Sequence, residues 1–183
     1  MKHLTGLLLI IGFVFGTSVG AAELGDDGLH KTHWMQDSFL DLREDLELAN
    51  EEGKRFAIII EQRGCIYCRR MHQDIFPDPA IDRIITENFY FVQLNMFGDL
   101  EVTDFDGEVM AEKDIMFKWR VNFTPTIMFF PEEVPESTSA SDIAVAQLPG
   151  AFGKGTTLSI FEWVLDKGYE KGISLQKVVQ SKF

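Results

Sequence analysis

The sequence predicts a single α/β domain in which a mixed four-stranded sheet is flanked by helices. Apolar, β-branched runs of strand length alternate with segments of helical periodicity, the order expected when parallel strands are joined by helices. Two later runs are separated by a polar turn, which predicts an antiparallel hairpin closing the sheet. The length of 183 residues, with 45% apolar and 25% charged side chains, fits one globular domain.

The first domain element is an amphipathic helix over residues 38–50, preceded by a cap at Asp37 or Ser38. Phe39, Leu42 and Leu46 recur there at helical spacing. The other predicted elements are strands at 56–61, 89–95, 127–130 and 143–148, and helices at 65–76, from Pro79 onward behind an Asp78 cap, at 111–119, at 157–165 and at 174–179.

An acidic excursion interrupts this order at residues 97–109. Its Asp106-Gly107 step predicts a tight hairpin. A calcium loop is excluded, because an EF-hand alignment on Gly107 puts Val102 and Lys113 where carboxylates are required. We expect a solvated loop or a docking element.

The first 22 residues predict a cleavable export signal. Lys2 is their only charged side chain, residues 7–15 are apolar, and the small residues 20–22 suit cleavage before Glu23. An uncleaved membrane anchor is the alternative, because the uncharged stretch approaches membrane length. We expect a periplasmic protein that is soluble after cleavage.

Two further segments make up the mature chain. Residues 23–33 are expected to be a flexible N-terminal lead, and residues 34–183 the domain itself. His30 and His33 lie in the lead three positions apart, which makes them weak candidates for a metal site.

Charge and cysteine content narrow the function. Seventeen Lys and Arg against 29 Asp and Glu give a net charge of -12, which argues against nucleic acid or anionic lipid as a partner. The two cysteines are too few for a disulfide scaffold, yet they lie three positions apart. A chain of this size can bury a core without such bonds, so the pair is free for chemistry.

The pair Cys65 and Cys68 follows a predicted buried strand and opens a helix. Unpaired N–H groups at a helix N-terminus stabilise a thiolate, and nearby arginines, at positions 63, 69 and 70, add positive potential. One helical turn brings the two sulfurs together. The spacing predicts that Cys65 attacks a partner disulfide and that Cys68 resolves the mixed disulfide.

Other interpretations of these residues remain. Haem attachment is excluded, because Arg69 rather than histidine follows Cys68. A copper or zinc carrier using Cys65, Cys68 and His72 stays open, although we expect His72 to be an exposed helix residue. An inert structural disulfide also stays open.

Three stretches, residues 61–72, 93–108 and 123–126, resemble the thioredoxin superfamily. Within it they are most similar to the secreted thioredoxin-like proteins of bacterial sulfur-oxidation operons, called SoxW. With the strand order, the resemblance covers about residues 35–170. It implies the thioredoxin fold and a thiol-disulfide oxidoreductase that reduces partner proteins, is re-reduced by a membrane electron donor and needs no cofactor. A disulfide oxidase or isomerase is the alternative.

The resemblance also implies site residues beyond the cysteines. Thr124-Pro125 would be a cis peptide that faces the cysteines and pairs with substrate, with Tyr67 as a further substrate contact; an ordinary trans proline is the alternative. Many thioredoxins carry a buried Asp six residues before the first cysteine, where this chain has Ile59. Glu61 is the candidate for proton transfer in its place, or else a solvated residue at the strand end.

Overall fold

The computed structural model describes residues 22–181. The predicted signal therefore lies, apart from its last residue, outside the described residues, and its cleavage stays a prediction. Within residues 22–181 no helix has both the length and the apolar character needed to cross a membrane.

The described chain alternates strands and helices, with one π-helical turn, Met71–Ile75, between α2 and α3. In chain order the elements are β1 (Glu23–Leu24), β2 (His30–Lys31), α1 (Leu42–Glu51), β3 (Arg55–Glu61), α2 (Ile66–Arg70), α3 (Pro79–Asn88), β4 (Phe89–Asn95), β5 (Glu101–Thr103), β6 (Val109–Ala111), α4 (Glu112–Lys118), β7 (Thr126–Phe129), α5 (Ala140–Ile143), β8 (Ala146–Pro149), α6 (Lys154–Leu165) and α7 (Leu175–Gln180).

The central sheet has the strand order β4-β3-β7-β8. β3 is parallel to β4 and antiparallel to β7, and β7 is antiparallel to β8. The mixed four-stranded sheet flanked by helices is thus confirmed. Because β3 and β4 are parallel, Glu61 and Asn95 end side by side at one edge, and the chain leaves β3 there to enter α2.

β3 separates two apolar cores. Its side chains alternate, so that Ile58 and Ile60 pack with α1 and α4 on one face while Ala57 and Ile59 pack with α3 and α6 on the other. All four are fully buried. A strand covered on both faces is a rigid base for the residues that follow it.

The first helix begins later than predicted. The side chain of Asp41, rather than that of Asp37 or Ser38, accepts the N–H groups of Arg43 and Glu44. Leu40 has a positive φ of 62°, which turns the chain just before this cap. Phe39 consequently stays outside the helix with 95% of its surface exposed.

Two further elements differ from the prediction. The predicted helix over 65–76 divides into α2 and the π-helical turn, in which the Phe76 N–H bonds the Met71 carbonyl at 2.8 Å. The predicted strand over 143–148 starts only at Ala146. A helical turn, α5, precedes it. The Ser139 hydroxyl accepts the Ser141 N–H, and the buried carboxylate of Asp104 accepts the Ala140 N–H.

The residues predicted as a flexible lead form an antiparallel hairpin of β1 and β2. Leu29 of the hairpin is buried. The Arg63 guanidinium holds the hairpin in place by donating hydrogen bonds to the carbonyls of Asp26 and Asp27, both at 3.2 Å. The hairpin thereby lies beside the segment that carries the cysteines.

The acidic excursion forms the predicted hairpin, β5 and β6, with Gly107 at a positive φ of 85° in its turn. It is not a solvated loop throughout, because Val102, Asp104 and Phe105 are fully buried. Its apolar residues complete the core on the α1 side of the sheet.

Candidate redox site

The two cysteines form a disulfide at the start of α2. Their Cα atoms lie 5.2 Å apart, and Cys65 is the N-cap residue of the helix. The Cys68 N–H donates to the Cys65 sulfur at 3.0 Å. Cys68 is fully buried, whereas Cys65 keeps 7% of its surface exposed. Cys65 is therefore the sulfur that a partner can reach, and Cys68 is the inner one.

A short turn delivers Cys65 from the end of β3 to the helix. Gly64 adopts a φ of 74°, a conformation that glycine accepts without strain, and the Cys65 N–H bonds the Gln62 carbonyl at 3.3 Å. The outer sulfur thus sits directly on the rigid edge of the sheet.

The loop before β7 faces this sulfur. The Thr124-Pro125 peptide is cis, and the Thr124 hydroxyl donates to the Cys65 sulfur at 3.3 Å. The Thr126 hydroxyl donates to the Phe123 carbonyl at 2.7 Å and holds the loop closed. The cis proline and its position against the cysteines agree with the implied geometry, while a role in substrate binding stays a prediction.

Exposed apolar side chains surround the sulfurs. Tyr67, between the cysteines, is 54% exposed, and its neighbour Ile66 and Phe123 of the proline loop are also largely exposed. Exposed aromatic and aliphatic side chains beside a reactive group favour contact with another protein chain.

A cavity of about 440 Å³ lies on the other side of Cys65, between α2 and the hairpin of β1 and β2. The side chains of Arg63 and Arg69 line it together with His30 and Asp26. In a protein with a net charge of -12, these arginines give the surroundings of Cys65 a locally positive character.

The end of β3 carries a buried polar group. Glu61, at the end of β3, is fully buried, and its Oε1 lies 2.9 Å from Nε2 of His72. The amide of Gln93 on β4 donates to Oε2 of Glu61 at 2.6 Å and to the His30 carbonyl at 2.8 Å. Both oxygens of the carboxylate are therefore held.

The imidazole of His72 is enclosed by other rings. His30 stacks on it with ring centroids 4.6 Å apart and an interplanar angle of 11°, and Phe76 meets it edge-on at 5.1 Å. Burial lowers the pKa of His30, and the neighbouring His72 lowers it further. The hairpin of β1 and β2 thus covers a buried acid–base pair.

Comparison with known proteins identifies the fold. The family model of the thioredoxin-like domain matches residues 42–136. The chain belongs to the thioredoxin-like family. A search of curated proteins found no match. The narrower resemblance to SoxW stays a prediction.

Two solved structures are similar to this thioredoxin-like chain. A thioredoxin-fold protein from Helicobacter pylori has 21% identity and a TM-score of 0.52, with 70% of this chain and 81% of that chain covered. A thioredoxin from Thermus thermophilus has 22% identity and a TM-score of 0.53, with 72% and 89% covered. At these identities the similarity shows the shared fold.

The prediction that His72 is exposed is wrong. Residue 72 follows the buried Cys68 by four positions, so it falls on the same inward face of the helix, and its side chain is fully buried against Glu61. Glu61 is likewise not a solvated residue at the strand end.

The arrangement of this thioredoxin-like site disfavours the metal alternatives. Cys65 and Cys68 are bonded to each other, and Nε2 of His72 is engaged by Glu61. Possible ligand atoms of His30, Glu61 and His72 do lie within 4.8 Å of one another. Ring nitrogens direct their lone pairs in the ring plane, however, and the two stacked rings are almost parallel, so these lone pairs do not converge on one ion.

The predicted pair of His30 and His33 is not brought together. His30 stacks on His72, whereas His33 lies 3.2 Å from the Thr86 hydroxyl and 3.4 Å from Asp82, both on α3. The structure instead adds His72, Gln93 and His30 to the site. The position of His72, four residues after Cys68, was the available sequence signal for its place in the site. His30 was predicted only as a metal-site candidate with His33, and Gln93 was not predicted.

Proposed function

We propose that this thioredoxin-like protein is an exported thiol-disulfide oxidoreductase that reduces disulfides in partner proteins. The observation that carries the proposal is the Cys65–Cys68 disulfide, with its outer sulfur against the Pro125 loop and its inner sulfur buried. A bonded pair of adjacent cysteines on a helix N-terminus can be opened to a dithiol and closed again without rearranging the core.

The reaction balances as two exchanges. The Cys65 thiolate attacks a partner disulfide, forms a mixed disulfide and releases one partner thiolate. Cys68 then attacks the Cys65 sulfur, closes the internal disulfide and releases the second partner thiolate. Two electrons pass to the partner, and a dithiol of a membrane electron donor returns two electrons to the protein.

Thr124, Pro125 and Tyr67 are proposed to bind the substrate. The first two lie against the attacking sulfur, where backbone groups of an extended partner segment can pair with the loop. Tyr67 adds an exposed ring beside the sulfur. The proposed partner is a protein, and the resemblance to SoxW favours a component of a sulfur-oxidation system.

Export is proposed from the leader. The test is to produce residues 1–183 in a Gram-negative host and to determine the N-terminal residue of the recovered protein. We expect the mature chain to begin at Glu23 and to be recovered in the periplasmic fraction. A chain that keeps residues 1–22 and stays with the membrane would support the anchor instead.

The central test is a redox titration followed by alkylation and mass measurement. The chain has two cysteines, so each molecule takes up either no label or two at equilibrium. We expect full conversion between these states, and insulin reduction that is lost in Cys65→Ser. Cys68→Ser should instead trap a partner at Cys65. Protection of both sulfurs under reducing conditions would reject the proposal.

The same titration decides the direction of electron flow. A reductase is expected to have a potential below about -200 mV, while an oxidase or isomerase lies well above it. Repeating the titration with a chelator tests the metal carrier. Of the three candidate functions, only a metal carrier predicts a redox midpoint that changes when the chelator is added.

A further inference from the structure

His72 has an unused proton-accepting position. Its Nδ1 is buried and has no hydrogen-bond partner among residues 22–181. Such unpaired buried atoms are rare in folded proteins and require an explanation. Here the atom belongs to a titratable ring in the π-helical turn that directly continues the redox helix, and π-turns frequently mark functional sites.

Glu61 determines which nitrogen carries the hydrogen. An ionised carboxylate only accepts hydrogen bonds, so the contact of 2.9 Å requires that Nε2 of His72 carries its proton. In the neutral ring Nδ1 is then a free lone pair. Gln93 holds the second carboxylate oxygen at 2.6 Å and prevents Glu61 from turning away. The result is a base with its orienting group, the usual companions of an activated nucleophile.

His72 follows the inner cysteine by one helical turn. Cys68 and His72 are four residues apart, and helical side chains lean toward the helix N-terminus, so the His72 ring leans toward the turn that holds Cys68. Both residues are buried. A thiol buried away from water resists ionisation, and Cys68 must lose its proton before it can attack the mixed disulfide.

We propose that His72, positioned by Glu61, accepts the Cys68 thiol proton at Nδ1 while Cys68 attacks the Cys65 mixed disulfide. This inference rests on the proposed function and deepens it. The Cys68 S–H bond breaks and the Cys65–Cys68 bond forms. The bond between Cys65 and the partner sulfur breaks, and its electron pair leaves on the partner thiolate. The proton stays on His72 beside the Glu61 carboxylate.

Charges on each neighbouring element act on this proton. The Glu61 carboxylate on β3 lies 2.9 Å from the His72 ring. Burial lowers the pKa of the neighbouring His30 on β2, and the charge of Arg69 on α2 acts in the same direction. Lys31 of β2 donates a hydrogen bond to the Gln93 side chain at 2.6 Å, and Gln93 in turn donates to Glu61. On the solvent side, Nε2 of His33 lies 3.4 Å from a carboxylate oxygen of Asp82 on α3.

The test separates the two exchange steps in one experiment. Reduced protein is mixed with dithiobis(nitrobenzoate), whose first coloured thiolate is released by Cys65 and whose second is released by Cys68. His72→Gln keeps an N–H for Glu61 but removes the base. We expect the second phase to slow about 100-fold or more at pH 7, in line with the usual contribution of general bases, while the first phase changes less than about twofold.

The pH profile distinguishes proton transfer from structural damage. Hydroxide takes over as the proton acceptor as the pH rises, so the difference between His72→Gln and the natural protein should shrink steadily toward high pH. His33→Gln is the matched control, because this half-exposed histidine contacts Thr86 and Asp82 of α3 rather than the site, and it should leave both phases unchanged. Equal second phases for His72→Gln and the natural protein at all pH values would overturn the inference.

A second variant guards against misfolding. If His72→Gln does not fold, Glu61→Gln keeps the shape of the site but removes the charge that stabilises the protonated ring. The same selective slowing supports the inference, and an unchanged second phase rejects it. Absence of the first phase in the natural protein would reject the proposed function itself, whereas a normal first phase with an insensitive second phase rejects only the role of His72.

Discussion

This fold buries two carboxylates completely and gives them different partners. Glu61 lies at the end of β3, four residues before Cys65, and Asp104 lies in the β5–β6 hairpin. Asp104 accepts hydrogen bonds from the Trp119 indole and the Ala140 backbone, both at 2.9 Å, and forms an ion pair with Lys118 at 2.8 Å. Glu61 pairs with His72, whose second nitrogen has no partner in the part of the chain that the structure describes.

The difference lies in the partner's chemistry. Burial acts to lower the pKa of Lys118, but hydrogen bonds to Asp104, Asp106 and Glu108 raise it well above its usual range, so Lys118 stays charged. The partner of Glu61 is instead an imidazole, a ring that can both donate and accept a proton. The comparison teaches that a satisfied buried carboxylate stabilises the fold, whereas a buried carboxylate with an incompletely paired histidine is suited to chemistry.

The largest expected effect on stability comes from Asp104→Ala. Removal of the carboxylate takes one of three acidic partners from Lys118 and leaves the Trp119 and Ala140 N–H groups unpaired, and each unpaired buried donor costs about 1–3 kcal/mol. Urea unfolding should show this loss. The disulfide-exchange rate of the folded protein should not change, because Asp104 has no contact with the cysteines.

Asp106→Ala is the control for that prediction. Asp106 also pairs with Lys118, at 2.7 Å, but it is partly exposed at the hairpin turn. Its loss should cost less than about 1 kcal/mol, as is usual for surface ion pairs. Equal losses for the two variants would show that burial of Asp104 is not what makes it important.

Glu61→Gln should show the opposite pattern. The amide oxygen can still accept from His72, but the amide NH2 then faces the Gln93 donor, so we expect the free energy of unfolding to fall by about 1–2 kcal/mol. The resolving step should slow at least about tenfold at pH 7, because a neutral amide does not stabilise a protonated imidazole. Unfolding and two-phase exchange measured on one preparation would contradict the comparison if stability, rather than rate, carried the larger change.

A third buried acid, Asp45 on α1, has no cationic partner among residues 22–181 and sharpens the comparison. Burial raises its pKa from 3.8 to about 6, with a hydrogen bond from Ser38 opposing the shift and the charges of Asp41 and Glu44 adding to it. The folded state therefore binds this proton more tightly than the unfolded state. The stabilisation is complete below pH 3.8 and is lost as the pH rises to about 6.

Asp45→Asn should remove that dependence. The amide oxygen can keep the bond of 2.7 Å from Ser38 without carrying a charge. After allowance for solvent screening, we expect the variant to be about 1–2 kcal/mol more stable than the natural protein at pH 7 and equally stable near pH 4. Denaturant unfolding at the two pH values checks this, and a variant that is less stable at pH 7 would contradict it.

Much of the fold was predictable because it depends on local apolar pattern. The β-branched run of β3 predicted a strand buried on both faces, and Asp78-Pro79 predicted the start of α3. The start of α1 was not predictable in the same way. The spacing of Phe39 fits a helix, but the positive φ of Leu40 moves the cap to Asp41, and this depends on tertiary packing.

The candidate site was likewise predictable where it depends on local sequence and not where it depends on tertiary packing. The spacing of Cys65 and Cys68 predicted their proximity, since one helical turn suffices to join them. Glu61 could be named but not placed, because its burial depends on Gln93 of β4 and His72 of the π-helical turn. The contribution of His30 depends on a hairpin whose docking is fixed by Arg63, 33 positions later in the chain, and no local pattern reports such a contact.

The smallest effect is expected for Asp99→Asn, in the exposed part of the acidic excursion. Asp99 pairs with Lys113 at 2.5 Å and raises the pKa of that lysine, but both side chains lie largely in solvent. Water replaces such a pair at little cost, so the urea midpoint and both exchange phases should equal those of the natural protein. Asp104 and Asp99 belong to the same acidic segment and differ chiefly in burial. A marked loss of exchange in Asp99→Asn would therefore assign the exposed part of the hairpin a direct role in docking, separate from the structural role of its buried part.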